Sequence, residues 1–161
     1  MITHSTLLSL LTYSPTTGVF VWTDNAPTHR NCIAGSLDKK GYRVIVIDGK
    51  RYKAHRLAWF YTHKVWPVGL LDHKDRVHDN NWLTNLREAT NQQNSFNSPV
   101  RCSNTSGHKG VYWDKSRAKW RAKIMVSGKW QHLGWFAQAA DASKAYQEES
   151  KIKHGEFYHP A

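Results

Sequence analysis

At 161 residues the chain has room for one ordinary domain or two small ones. It is 40% hydrophobic with eight Trp, and a formal net charge of +11 argues against an average neutral enzyme and for a polyanionic partner. Its two cysteines, Cys32 and Cys102, argue against a disulfide framework or a thiolate zinc site, and the absence of a run of about 18 apolar residues argues against a membrane span. The start, Met1-Ile2-Thr3-His4-Ser5, lacks a basic-then-apolar secretory pattern, so a reducing cytoplasm is the expected address.

In chain order, Thr6 to Tyr13 reads as a short apolar segment with a helical turn or two. Ser14-Pro15-Thr16-Thr17-Gly18 is turn chemistry, followed by a β-rich run, Val19 to Trp22. Tyr42 to Ile47 is the clearest strand of this half, and Asp48-Gly49 is a two-residue hairpin signal that sends Arg51-Tyr52-Lys53 back alongside it. His55 to Tyr61 reads as a helix, with Leu57, Phe60 and Tyr61 on one face and Trp66-Pro67 ending it. His55 suits a functional group or a capping and packing role equally.

Leu71 to Asn94 is the stretch around which the chain is organised. It reads as a strand ending at Leu71, with Asp72 and His73 at its exit, then a polar loop, a short second strand and a helix start. Thr90 and Gln93 fit a capping box for that helix, which carries Asn94. A turn rich in Asn and Asp accounts for Asp79-Asn80-Asn81 and for Asn85, but no turn requires the Asp-His pair. A zinc site from Asp72, His73 and His78 has irregular spacing and no thiolates. Arg76 and His78 are expected to approach phosphates or to sit in solvent.

Residues 99–106 are polar with Pro and Ser and are expected to link a domain over 1–98 to a second over 107–161. The second half offers Gly110 to Trp113, Trp120 to Val126 and Lys129 to Trp135 as three strands, with a tight turn at Ser127-Gly128. Alternation sends Trp120, Ala122 and Ile124 one way and Arg121, Lys123 and Met125 the other. Ala139 to Lys153 reads as an amphipathic helix with Ala142, Ala145, Tyr146 and Ile152 as its stripe, stopped by Gly155. An α+β fold is expected. The basic outer face of the sheet, carrying Trp130 and His132, is expected to be a nucleic-acid surface rather than a merely solvated one.

The stretch from Asp72 to Asn94 resembles the HNH nuclease motif of the ββα-metal fold, with Asp72-His73 as its opening, Asn85 as its central Asn and Asn94 as its last letter. Gly41-Tyr42-Arg43 and Tyr52 to Leu57 look like phage-type HNH homing endonucleases, and the resemblance covers most of residues 8–97. It implies His73 as general base, Asp72 and Asn94 as ligands of one Mg²⁺ or Mn²⁺, and Asn85 as an orienting residue. Residues 107–158 resemble an AP2 DNA-binding domain through Gly110-Val111-Tyr112, Lys119-Trp120, Leu133-Gly134-Trp135-Phe136 and Ala139-Ala140-Asp141-Ala142. That resemblance implies a three-stranded antiparallel sheet on one helix, with Tyr112, Arg121, Lys123, Met125, Trp130 and His132 facing DNA.

Together the two resemblances imply a metal-dependent endonuclease acting on double-stranded DNA in a phage or bacterial host cell. One such site handles one strand, so a double-strand break needs a homodimer or two events. The competing classes are a non-catalytic DNA-binding regulator with a decayed nuclease domain and an RNA-binding module.

Overall fold

The computed structural model describes residues 2–158. Contacts divide the chain into two compact units, 1–91 and 92–161.

In the first unit, α1 (His4–Leu10) is capped by the Thr3 hydroxyl, which accepts from the Thr6 N–H, and runs straight into β1 (Leu11–Tyr13). β1 pairs antiparallel with β2 (Phe20–Trp22) across the Ser14–Gly18 turn. β3 (Ser36–Leu37), β4 (Arg43–Ile47) and β5 (Lys50–Lys53) form a three-stranded sheet in that order. The β4–β5 hairpin turns at Asp48 and Gly49, both with positive φ (50° and 72°), the primed geometry that matches strand twist. α2 (Ala54–His63) buries Ala54, Leu57, Ala58 and Phe60 along one stripe. It stops at Lys64, whose left-handed φ of 62° closes the last turn on the Phe60 carbonyl, earlier than the Trp66-Pro67 stop expected from sequence.

β6 (Leu70–His73) and β7 (Leu86–Ala89) make a separate antiparallel hairpin. β6 does not end at Leu71. Asp72 and His73 are inside the ladder, opposite Arg87 and Leu86, because cross-strand pairing extends the strand over them. Phe20, Leu7, Leu11, Ile45 and Leu57 are fully buried, and Leu86 ties the β6–β7 hairpin to the same core. Each such side chain contributes about 1.5–3 kcal/mol on burial.

α3 (Asn91–Asn97) follows and runs into the residues expected to open a linker. In the second unit, β8 (Val111–Asp114), β9 (Lys119–Val126) and β10 (Lys129–Phe136) form an antiparallel sheet with β9 in the centre, packed on α4 (Ala139–His154). Val111, Ala122 and Ala142 are its buried centre, with Trp120, Leu133 and Phe136 around them. Gly110 allows close approach here: at φ 68°, a Cβ would fall 2.2 Å from the Tyr146 ring.

The α4 stripe differs from expectation. Ala142 is buried as expected, but Ser143, Ser150 and His154 are buried with it, whereas Ile152 is 73% exposed. At about 100° per residue, Ile152 lies two steps from both Ser150 and His154 and so points away from the sheet. Among the described residues no helix is long and apolar enough to cross a membrane.

Candidate active site

His73 is buried at the end of β6, and its ring is held from one side by Asn81: His73 Nε2 lies 3.3 Å from Asn81 Oδ1. Asn81 Nδ2 donates to the Asp79 carbonyl at 3.1 Å, so its oxygen faces the imidazole and the His73 Nε2–H is the donor. Burial is the main influence on this ring and pushes its pKa below the ordinary histidine value, against the raising effect of Asn81. The imidazole is thus neutral at neutral pH and able to accept a proton.

Asn81 is itself fixed. It is almost fully buried, the Tyr13 hydroxyl donates to its carbonyl at 2.7 Å, and Gly18 presses against it. A Cβ on Gly18 would fall 2.6 Å from the Asn81 carbonyl carbon, at a φ of 70°, so no other residue fits there without moving the Asn81 backbone.

Around His73 stands a group of rings. His55, at the start of α2, meets it edge-on with centroids 5.0 Å apart, and Tyr42 is 5.9 Å away. Burial, with the neighbouring His73 second, drives the His55 pKa down to about 3. Tyr42 also stacks on His78 at 4.0 Å, and His78 Nδ1 donates to the Lys40 carbonyl at 2.7 Å. His78 is therefore seated against the β3–β5 sheet region rather than loose in solvent.

Asp72 is buried and takes a two-pronged grip from Arg87, its register partner on β7. Arg87 Nε and Nη2 both donate to Asp72 Oδ2, at 2.9 and 2.7 Å. Asn85 does not hold the His73 ring. Its Nδ2 donates to Asp75 Oδ1 and to the Asn80 carbonyl, at 2.9 and 2.8 Å, while its Oδ1 accepts the Asp75 N–H at 3.1 Å. It fastens the Lys74–Leu83 loop. Burial pushes the Asp75 carboxyl up, but the Val77 N–H and the Asn80 and Asn85 amides outweigh that and hold it below the usual carboxylate range. Arg76 sits in the same loop with left-handed φ of 65°, half-buried. Asn94 is half-buried on α3, in the second unit.

Among the described residues no three of His, Cys, Asp and Glu gather into a metal cage. The donors expected from sequence are one carboxylate and one amide, Asp72 and Asn94. Such an oxygen set suits a hard cation that keeps several waters, Mg²⁺ above all.

In the second unit the register places Tyr112 opposite Arg121, Trp130 opposite Met125 and His132 opposite Lys123, so all six expected DNA-face residues share one side of the sheet. Lys123 Nζ lies over two of the rings, 4.7 Å from Tyr112 and 4.2 Å from Trp130. A register shift between His132 and Gly134 adds Trp135, which pairs with Arg121. Trp135 Nε1 donates to Asp114 Oδ2 at 3.1 Å and the Arg117 guanidinium lies 4.4 Å over its ring. Strict alternation hides Trp135 on the other face, and only the Gly in Leu133-Gly134 hints at the shift. Asn81 and Arg87 were also missed, one inside a turn cluster and the other with a partner 15 residues away.

Residues 52–96, which hold this Asp-His hairpin and its asparagines, match the sequence model of the HNH endonuclease family. The chain belongs to that family, and it is 41% identical to Protein 3.8 of Escherichia phage T7 over 85 residues, which make up 50% of this chain and 69% of that protein. A solved structure of the HNH homing endonuclease I-HmuI, concerned with its DNA binding and cleavage, is 27% identical with a TM-score of 0.42 and covers 53% of this chain. The match takes in 49% of that solved chain, so this protein spans about half its length.

Proposed function

We propose that the chain is a metal-dependent DNA endonuclease in which the HNH-matched segment hydrolyses a phosphodiester bond and the AP2-like sheet of the second unit grips the duplex. The observation that carries this reading is His73: a buried, neutral imidazole oriented by Asn81 through Nε2, next to Asp72 and within the HNH-matched segment. His73 would take the proton of the attacking water. Asp72 and Asn94 would hold one Mg²⁺ or Mn²⁺, which when bound supplies charge relief to the phosphate and the leaving 3′-oxygen. Asn85 keeps the loop closed behind His73, and Arg76 is available to the phosphate backbone.

Tyr112, Arg121, Lys123, Met125, Trp130 and His132 would face DNA, with the cations giving salt-dependent affinity and the remaining side chains reading base edges. The test is plasmid nicking across Mg²⁺ and Mn²⁺, on DNA that includes the native target. His73→Ala should abolish cleavage and retain DNA binding. A wild-type chain that leaves supercoiled DNA intact under all these conditions sinks the enzyme reading.

One observation favours a second reading, a duplex-binding regulator without cleavage. Arg87 already neutralises Asp72, which weakens that carboxylate as a cation ligand. Isothermal titration of Mg²⁺ into wild type and Asp72→Asn separates the two readings, because the regulator needs no Asp72-dependent metal uptake.

A further inference from the structure

The segment 98–105, which takes in most of the 99–106 linker expected from sequence, lines a cleft of about 470 Å³ together with Tyr112, Lys123 and Trp130 of the sheet's outer face. The segment is held in place. Asn104 Nδ2 donates to the His108 carbonyl at 2.9 Å, and the Ser106 hydroxyl lies 2.9 Å from the Val111 carbonyl oxygen. The neighbouring Phe96 ring stacks on His154 with centroids 3.5 Å apart.

The lining has a clear chemical bias. Among the described residues that line it there is no carboxylate, while Arg101, Lys109 and Lys123 supply cations and Ser98, Ser103 and Thr105 supply hydroxyls. Lys109 Nζ donates to the Phe96 carbonyl and Lys123 sits on its two rings, whereas Arg101 is exposed. Adenine and cytosine edges present amino donors that call for an amide or a carboxylate in reply, whereas guanine O6 and N7 accept from Arg or Lys. The amide in the lining, Asn104, is already engaged: its oxygen takes the N–H groups of Ser106 and Gly107, at 2.8 and 3.0 Å, and its nitrogen goes to His108. A lining whose charged groups are all cations, with hydroxyls between them, fits an anion that accepts from every side, which describes phosphodiester oxygens.

We propose that this cleft seats the sugar–phosphate backbone of the duplex beside the sheet, with Arg101 as its phosphate anchor. The 98–105 segment is then a second, sequence-neutral grip that fixes the register of the DNA on the sheet. The inference rests on the reading of the sheet face as a DNA surface.

The experiment is a fluorescence-anisotropy titration of short DNA duplexes of several unrelated sequences with the full chain, repeated over a salt series. The variants are Arg101→Ala, Arg101→Glu and, on the sheet, Arg121→Ala. Arg101→Ala should weaken binding roughly fivefold for all sequences alike and lower the slope of log affinity against log salt by about one. Arg101→Glu should weaken it further. If Arg121→Ala weakens binding and Arg101→Ala leaves affinity and slope unchanged, the cleft proposal is wrong and the sheet reading stands. If neither variant matters, the sheet reading and the cleft proposal both fail. A loss at Arg101 confined to one sequence makes it a base reader and overturns the backbone assignment, as does tighter binding of a structured RNA than of any duplex.

Discussion

Arg87 closes on Asp72 across the β6–β7 ladder, with its Nε and Nη2 on one carboxylate oxygen and both side chains buried. A buried pair of this kind is costly to break from one side, because the remaining charge keeps its desolvation penalty and loses its partner. Arg87→Ala is therefore expected to lower unfolding free energy by about 3–5 kcal/mol. The double variant Asp72→Ala/Arg87→Ala should lose less than the sum of the two single variants. Urea denaturation of all four proteins gives the coupling energy, and strict additivity would contradict the pair.

Asn81 is expected to govern chemistry rather than binding. Asn81→Ala frees the His73 ring from its 3.3 Å contact and should cut the nicking rate about 10²-fold with little change in DNA affinity. Single-turnover nicking and anisotropy on the same preparation separate the two quantities. Equal losses in both would make Asn81 a structural residue only.

Gly18 reaches the same place from behind. Gly18→Ala puts a Cβ 2.6 Å from the Asn81 carbonyl carbon at a φ that L residues resist, so the Asn81 backbone must move. The variant should be destabilised by about 1–2 kcal/mol and nick more slowly than that stability loss explains at a temperature where it stays folded. A circular-dichroism melt and a nicking assay at low temperature check this. A fully active Gly18→Ala protein would break the link from the turn to His73.

Stability should fall on mild acidification. Burial pushes the His55 pKa down to about 3 in the folded chain, against about 6.5 when unfolded. Above pH 6.5 neither state binds the proton. Below it the unfolded chain takes a proton that the folded chain refuses, so stability drops as pH falls toward 3. His55 alone costs about 1.5 kcal/mol at pH 5.5, where ordinary carboxylates keep their charge, and His73 adds a loss of the same sign. Urea midpoints at pH 7.5 and 5.5 measure the drop, and His55→Gln should shrink it. An unchanged drop in that variant would assign the effect elsewhere.

The amino-acid order settled whatever depends on neighbours in the chain. The Asp48-Gly49 hairpin, the two faces of β9 and the halting of α4 at Gly155 follow from local turn and alternation rules, and they appear in the fold as read. The Asp-His pair was legible because local backbone needs do not account for it. Contacts between distant residues were not legible. Arg87 meets Asp72 only through strand register, Asn81 meets His73 only because Gly18 and Tyr13 fix its backbone, and Trp135 joins the outer face only through a bulge. Ile152 reads as core by hydropathy but lies on the far side of its helix from the sheet. Local rules fix which groups each element carries. Pairing and packing across the chain decide which of them share an environment, and the protonation state of His73 and the charge left on Asp72 follow from that environment.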